Sequence, residues 1–316
     1  MRVAVLGTGG TGGYFGGLLA RAGHEVIFVA RGPHLDAIRA NGLTVNSRLA
    51  GNFTVRAAAT DDIRSIGPVD LVLVCVKTYS MDAVLPALRS LVGPQTVIMS
   101  MQNGIDNEDR IAAAAGPEHV LGLAAQVSAF IQEPGVVVQA GGPGRLIFGE
   151  MAGGESARSA SLAKAFQAAG IAIEARSDVK VALWEKFIFI CSASGVTALT
   201  RLPAGPIFAD RETTGLLRAT LDEGVAVAKA EGIHVAARFT EQTLGFMAKL
   251  EPWMRGSMAL DLLEGRRLEL ETLNGTMVRL GRAREVPVPV TWTIYAALRP
   301  FENGPPAIPA PSHDDG

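Results

Sequence analysis

The first thirty-one residues constrain this chain more than any other stretch. A short apolar run at 3–6 meets Gly7-x-Gly9-x-x-Gly12, and a helix-compatible stretch at 14–22 follows. Gly23 breaks that stretch before a second apolar run at 26–30. Strand, glycine turn, helix and strand in this order lift a bare GxGxxG well above chance. Gly7 permits the tight turn, Gly9 lets backbone approach a pyrophosphate, and Gly12 lets the helix pack closely on the strand. The helix start adds free N–H groups and the positive end of a dipole. Gly7, Thr8, Gly9, Gly10, Thr11 and Gly12 are therefore expected to cradle the phosphates of a dinucleotide.

The end of the second strand indicates which dinucleotide. An NAD site usually carries Asp or Glu there, about 20 residues past the glycines, to accept hydrogen bonds from the ribose 2′-OH. This chain has Arg31 instead, in Val29-Ala30-Arg31-Gly32. A guanidinium cannot accept those bonds, but it suits a 2′-phosphate and stacks on an adenine. The expected cofactor is NADP(H).

A length of 316 residues predicts two domains. With 48% hydrophobic and 19% charged residues the chain reads as a soluble globular protein. A net charge of −2 gives no footing for nucleic acid or an anionic membrane. Cys75 and Cys191 both lie in apolar runs and read as buried thiols of a reducing compartment. No signal-peptide pattern opens the chain, and the longest apolar runs are strand-length or carry charges. A cytoplasmic location follows as an expectation. The five histidines show no metal-ligand spacing, so no metal is expected.

Strand and helix patterns alternate over the first 176 residues, the signature of a parallel sheet covered on both faces. Strands are expected at 2–6, 25–30, 43–46, 71–76, 96–101, 120–127, 136–140, 146–148 and 171–174, with an antiparallel hairpin at 135–149. A last helix is expected at 156–169. From 177 to 302 the period is helical, with long helices at 216–231 and 258–280 and a short one near 291–298. Four prolines in 303–316 predict a disordered tail. The fold class is α/β: a Rossmann-like, doubly wound N-terminal domain and an all-helical C-terminal domain, with the active site expected in the cleft between them.

Ligands of open parallel sheets bind beyond the carboxyl ends of the strands. Arg31, Lys77 after Val74-Cys75-Val76, and Asn103 in Gln102-Asn103-Gly104 all follow such ends. Each has a plainer reading: Lys77 as a snorkelling surface lysine, Asn103-Gly104 as a turn. In the helical half, Lys186 stands in the apolar run 183–191, and Lys186, Ile190 and Ser194 share one helix face. Apolar surroundings draw a lysine pKa down toward neutrality, which suits a proton donor. A local ion pair is the structural alternative. Glu269 and Glu271 read equally well as solvated helix charges.

Taken in order, Gly7-x-Gly9-x-x-Gly12, Arg31, Lys77, Gln102-Asn103-Gly104, Trp184-x-Lys186 and Ser257-Met258 with Glu269 twelve residues on form a specific set. The chain resembles the ketopantoate reductase (2-dehydropantoate 2-reductase) family over its whole length before the tail. The resemblance implies a helical domain of the 6-phosphogluconate-dehydrogenase type and NADPH-dependent reduction of a 2-oxo acid, in pantothenate biosynthesis. It implies Lys186 as the general acid that protonates the carbonyl oxygen and binds the substrate, with Glu269 orienting that lysine. It implies Ser257 as holder of the substrate carboxylate and Asn103 as neighbour of nicotinamide and substrate. Lys77, Gln102 and Ser128 fall to the cofactor.

The chain departs from the family pattern where asparagines follow the lysine by one and two turns, having Ile190 and Ser194 there. Met254 replaces a further asparagine three residues before the serine. Losing buried hydrogen-bond partners can change substrate preference by orders of magnitude. Two alternatives stay open: another dehydrogenase of the superfamily, of 3-hydroxy acid or opine type, or an NADP(H)-binding protein of weak turnover. The partner is a small 2-oxo acid, and monomer and homodimer are both open.

Overall fold

The computed structural model describes residues 1–306, so most of the expected tail lies outside the described residues. The chain divides into two compact units, the first ending at Leu183 and the second beginning at Trp184.

The first unit carries ten strands: β1 (Arg2–Leu6), β2 (Glu25–Val29), β3 (Leu43–Ser47), β4 (Phe53–Val55), β5 (Ala58–Thr60), β6 (Leu71–Val74), β7 (Val97–Ser100), β8 (Val120–Glu133), β9 (Val136–Glu150) and β10 (Ala172–Ala175). Its helices are α1 (Gly10–Arg21), α2 (Gly32–Asn41), α3 (Met81–Leu88), α4 (Asn107–Ala115) and α5 (Ala157–Ala168). One sheet runs β4-β3-β9-β8-β7-β6-β1-β2-β5, with β10 beside β9. The stretch from β5 to β8 is parallel. This is the doubly wound arrangement that the alternating pattern predicts.

Continuous apolar runs suit these strands because both faces are buried. Val3, Val5, Val26, Phe28, Leu71 and Leu73 point to one core, with Phe15, Leu18 and Leu19 of α1 and Phe166 of α5. Their alternates Ala4, Leu6, Ile27, Val29, Val72 and Val74 point to the other, with Val84 and Leu88 of α3 and Ile111 of α4.

Three details differ from expectation. The hairpin is larger than 135–149: β8 and β9 form one antiparallel ribbon that turns at Pro134-Gly135. Gly142 and Gly144 have positive φ but lie inside β9, where the register shifts between Gln126 and Ala129 use up extra residues. Two three-residue strands, β4 and β5, were not expected, being too short to show a period.

The second unit is helical. The helix α6 (Val179–Thr200) enters it, and α7 (Ala204–Ala209), α8 (Arg211–Ala230), α9 (Phe239–Met247), α10 (Ser257–Leu263), α11 (Thr276–Ala283) and α12 (Pro289–Leu298) follow. The expected helix at 258–280 is instead two. Gly265 takes φ +67°, the left-handed value that ends α10, and a π-helical turn at Glu271–Gly275 precedes α11. Glu223 of α8 accepts the N–H groups of Val290 and Thr291 at 2.8 Å each, satisfying free donors at the start of α12. By length and composition α6 could cross a membrane, but 67% of its most apolar window is buried in the protein.

Candidate active site

The glycine loop is built by sterics. Gly7 has φ +102°, and a Cβ on it would stand 2.7 Å from the Val76 nitrogen. A Cβ on Gly12 would stand 2.2 Å from the Gly7 carbonyl oxygen, so only glycine lets α1 begin this close to the turn. Gly9 differs: a Cβ there would meet nothing within 4 Å. Its backbone faces open space at the start of a twelve-residue helix, which fits a bound pyrophosphate. Thr8 is buried, its N–H and hydroxyl both donating to the Val29 carbonyl at 3.0 and 3.1 Å. Thr11 lies in the first turn of α1, half-buried.

Strand register brings the other candidate residues to the same edge. Val29, Leu6, Val74 and Ser100 are neighbours in one row across β2, β1, β6 and β7. Whatever follows each strand therefore emerges side by side: Arg31, the glycine loop, Lys77, and Gln102-Asn103. Arg31 is exposed at the start of α2. Lys77 is half-buried and leads into the turn Thr78–Ser80. Gln102 is buried; its amide donates to the Val76 carbonyl at 2.7 Å and its oxygen accepts from Ser100 at 3.1 Å. It thus ties the ends of β6 and β7 together. Asn103 is half-buried, and its carbonyl accepts from the Asn107 side chain at 2.9 Å. Asn107 was not foreseen, because its partner is a backbone atom four residues back.

Ser128 lies on β8 at the register shift. Its neighbour Ala129 abuts the loop so closely that a Cβ on Gly10 would stand 2.0 Å from the Ala129 carbonyl oxygen. Gly10, outside the three motif glycines, is thus required by this crossing strand.

In the second unit, Lys186 and Ile190 are half-buried on α6, while Ser194 is 1% exposed. Gly256 covers Ser194: a Cβ there would stand 2.5 Å from its hydroxyl oxygen. The Gly256 N–H donates to the Thr197 hydroxyl at 3.2 Å, fixing this contact. Ser257, the first residue of α10, is exposed beside it. The structure therefore packs Ser194 against Gly256, the residue before Ser257. Met254 is half-buried two residues before Gly256, its carbonyl accepting from the Ala204 N–H at 2.8 Å.

Glu269 is 7% exposed and precedes the π-helical turn, so it is not a charge on a solvated helix face. Glu271 is half-buried: it receives the Tyr295 hydroxyl at 2.5 Å and pairs with Arg279 at 2.8 Å. This carboxylate neighbour pushes the Tyr295 phenol up. Burial likewise pushes both thiols, Cys75 and Cys191, up. Among the described residues no cluster of His, Cys, Asp or Glu could hold a metal.

A glycine cradle at the edge of a doubly wound sheet, followed by a helical unit, defines a pyridine-nucleotide-dependent oxidoreductase by class. Residues 3–153 match the family model "Ketopantoate reductase PanE/ApbA", and 178–302 match its C-terminal counterpart. The 2-dehydropantoate 2-reductase of Halobacterium salinarum is 32% identical over 301 residues, 95% of this chain and 98% of that one. The crystal structure of a PanE/ApbA family ketopantoate reductase from Ralstonia eutropha JMP134 superposes with a TM-score of 0.88 at 33% identity, covering 96% of this chain and 98% of that one. D-mandelate dehydrogenase, solved with NADH and anilino(oxo)acetate, shares the fold at a TM-score of 0.86 and 20% identity, covering 96% and 98%. The chain belongs to the ketopantoate reductase family.

Proposed function

We propose that this protein reduces a small 2-oxo acid, 2-dehydropantoate or a relative, to the 2-hydroxy acid with NADPH. The observation that carries this reading is the row Val29–Leu6–Val74–Ser100, which aligns Arg31, the glycine loop, Lys77 and Asn103 along one sheet edge. Gly7 to Gly12 would hold the pyrophosphate and Arg31 the 2′-phosphate, with Lys77, Gln102, Asn103 and Ser128 along the rest of the cofactor. When bound, the reduced nicotinamide supplies a hydride. Lys186 donates a proton to the substrate oxygen, where negative charge develops. Glu269 orients that ammonium group, and a buried carboxylate is suited to this because little water competes for it. Ser257, next to the Gly256 that packs on Ser194, holds the substrate carboxylate, while Asn103 lies toward nicotinamide and substrate. We read residues 1–176 as the cofactor domain and 177–302 as the substrate domain, working in the cytoplasm.

The exposed position of Arg31 makes the cofactor preference testable without disturbing the core. Wild type should have a lower KM for NADPH than for NADH. The variant R31A should raise the NADPH value by roughly tenfold or more, the scale of one lost charge-assisted contact, and leave NADH nearly unchanged. Equal affinity of the wild type for both cofactors would contradict the assignment.

A further inference from the structure

His34 has no counterpart among the residues so far given a role, yet it joins two distant parts of the first unit. It lies in the first turn of α2, half-buried. Its Nε2 is 2.7 Å from the Thr8 carbonyl oxygen of the glycine loop. Its Nδ1 is 3.0 Å from the Gly135 nitrogen, at the turn of the β8–β9 ribbon. A carbonyl can only accept and a backbone N–H can only donate, so these two partners fix the ring. It is the neutral tautomer with the proton on Nε2. Burial holds the imidazole below its ordinary pKa of 6.5, in the same direction.

The bond to Thr8 bears on the loop's function. The Thr8 carbonyl and the Gly9 N–H belong to one planar trans peptide, so they point in opposite directions. Fixing the carbonyl toward α2 fixes the N–H away from it. Gly9 is the loop residue whose missing Cβ leaves open space. The ribbon that supplies the other end of the clamp also touches the loop directly, through Ala129 against Gly10. Its turn is held in turn by the Thr44 N–H, which donates to the Gly135 carbonyl at 2.9 Å. The loop is thus gripped at Gly10 by the ribbon and at Thr8 by a histidine seated on the ribbon's tip.

We propose that His34 is a positioning residue for cofactor binding: it sets the Thr8–Gly9 peptide plane for the dinucleotide by anchoring it to the tip of the β8–β9 ribbon. This rests on the reading of residues 7–12 as the cofactor loop. The effect should fall on NADPH affinity rather than on turnover at saturating cofactor, because His34 lies in no group assigned to substrate or proton transfer.

The two ends of the clamp can be separated. In H34Q the amide nitrogen occupies the Nε2 end and can still donate to Thr8, while the acceptor for Gly135 is lost. In H34N the side-chain oxygen occupies the Nδ1 end and can still accept from Gly135, while the donor to Thr8 is lost. NADPH binding would be read by nucleotide fluorescence on substrate-free protein, with Tm and steady-state kinetics on the same samples. H34N and H34A should raise the Kd for NADPH about three- to tenfold with kcat within twofold of wild type, while H34Q stays closer to wild type. All three should lose some Tm, so Tm alone does not separate the roles. If H34A does not fold, the Gln and Asn pair carries the comparison. Wild-type Kd values in both H34N and H34Q, with only Tm lowered, would make His34 a stabilising residue and overturn the proposal. Failure of the wild type to bind NADPH would overturn the cofactor reading itself, and this inference with it.

Discussion

Replacing Lys186 with alanine should lower turnover by ~10²–10⁴-fold, the usual contribution of a positioned acid or base, and leave NADPH affinity nearly intact. Lys186 belongs to the second unit and the glycine loop to the first, so the variant should separate chemistry from cofactor binding. The same loss should appear in kcat and in kcat/KM, as expected when an interaction made mainly in the transition state is removed. Single-turnover decay of NADPH fluorescence checks this directly. Near-normal turnover in K186A would return the lysine to a structural role on α6.

The second large effect concerns what the enzyme prefers to reduce. Ile190 shares the Lys186 face of α6, where the family pattern has an asparagine, and Met254 stands two residues from Gly256. Each missing polar contact should weaken the transition state for a hydroxylated keto acid by ~1–3 kcal/mol. The two together correspond to roughly 30- to 10⁴-fold in kcat/KM, taking a factor of ten per ~1.4 kcal/mol. The enzyme should therefore favour a more apolar 2-oxo acid, and I190N/M254N should raise activity on 2-dehydropantoate relative to pyruvate-like substrates. Ser194 is the wrong place to restore an amide. The backbone of Gly256 lies directly on it, so S194N would force α6 and α10 apart. Unchanged relative activity in the double variant would show that these positions do not face the substrate.

The parts legible in the sequence are those whose cause is local. The buried runs of β1, β2, β6 and β7 announce themselves because both faces are apolar, and the glycine loop because its turn and helix contact admit no side chain. Misreadings arose where one local signal competed with tertiary packing. A hairpin confined to 135–149 is too small: the ribbon absorbs Gly142 and Gly144 as irregularities inside β9 and turns at Pro134-Gly135. A helical period across 258–280 conceals the break at Gly265, since the charged residues around it fit an exposed helix face equally well. Glu269 gave no sign of burial for that reason. His34, Asn107 and the Ser194–Gly256 contact were invisible for another: in each case the partner is a backbone atom, and backbone partners leave no residue-type signature. Family likeness, by contrast, put forward Lys186, Ser257 and Glu269 as candidates from their order along the chain.

The most direct test of the account is NADPH oxidation, followed by absorbance, by the purified wild-type protein against a panel of 2-oxo acids that begins with 2-dehydropantoate. The account predicts NADPH-dependent reduction of at least one of them, lowered ~10²–10⁴-fold by K186A and poorly supported by NADH. No oxidation across the panel, from a protein that nonetheless binds NADPH, would contradict it and leave a nucleotide-binding protein without this chemistry.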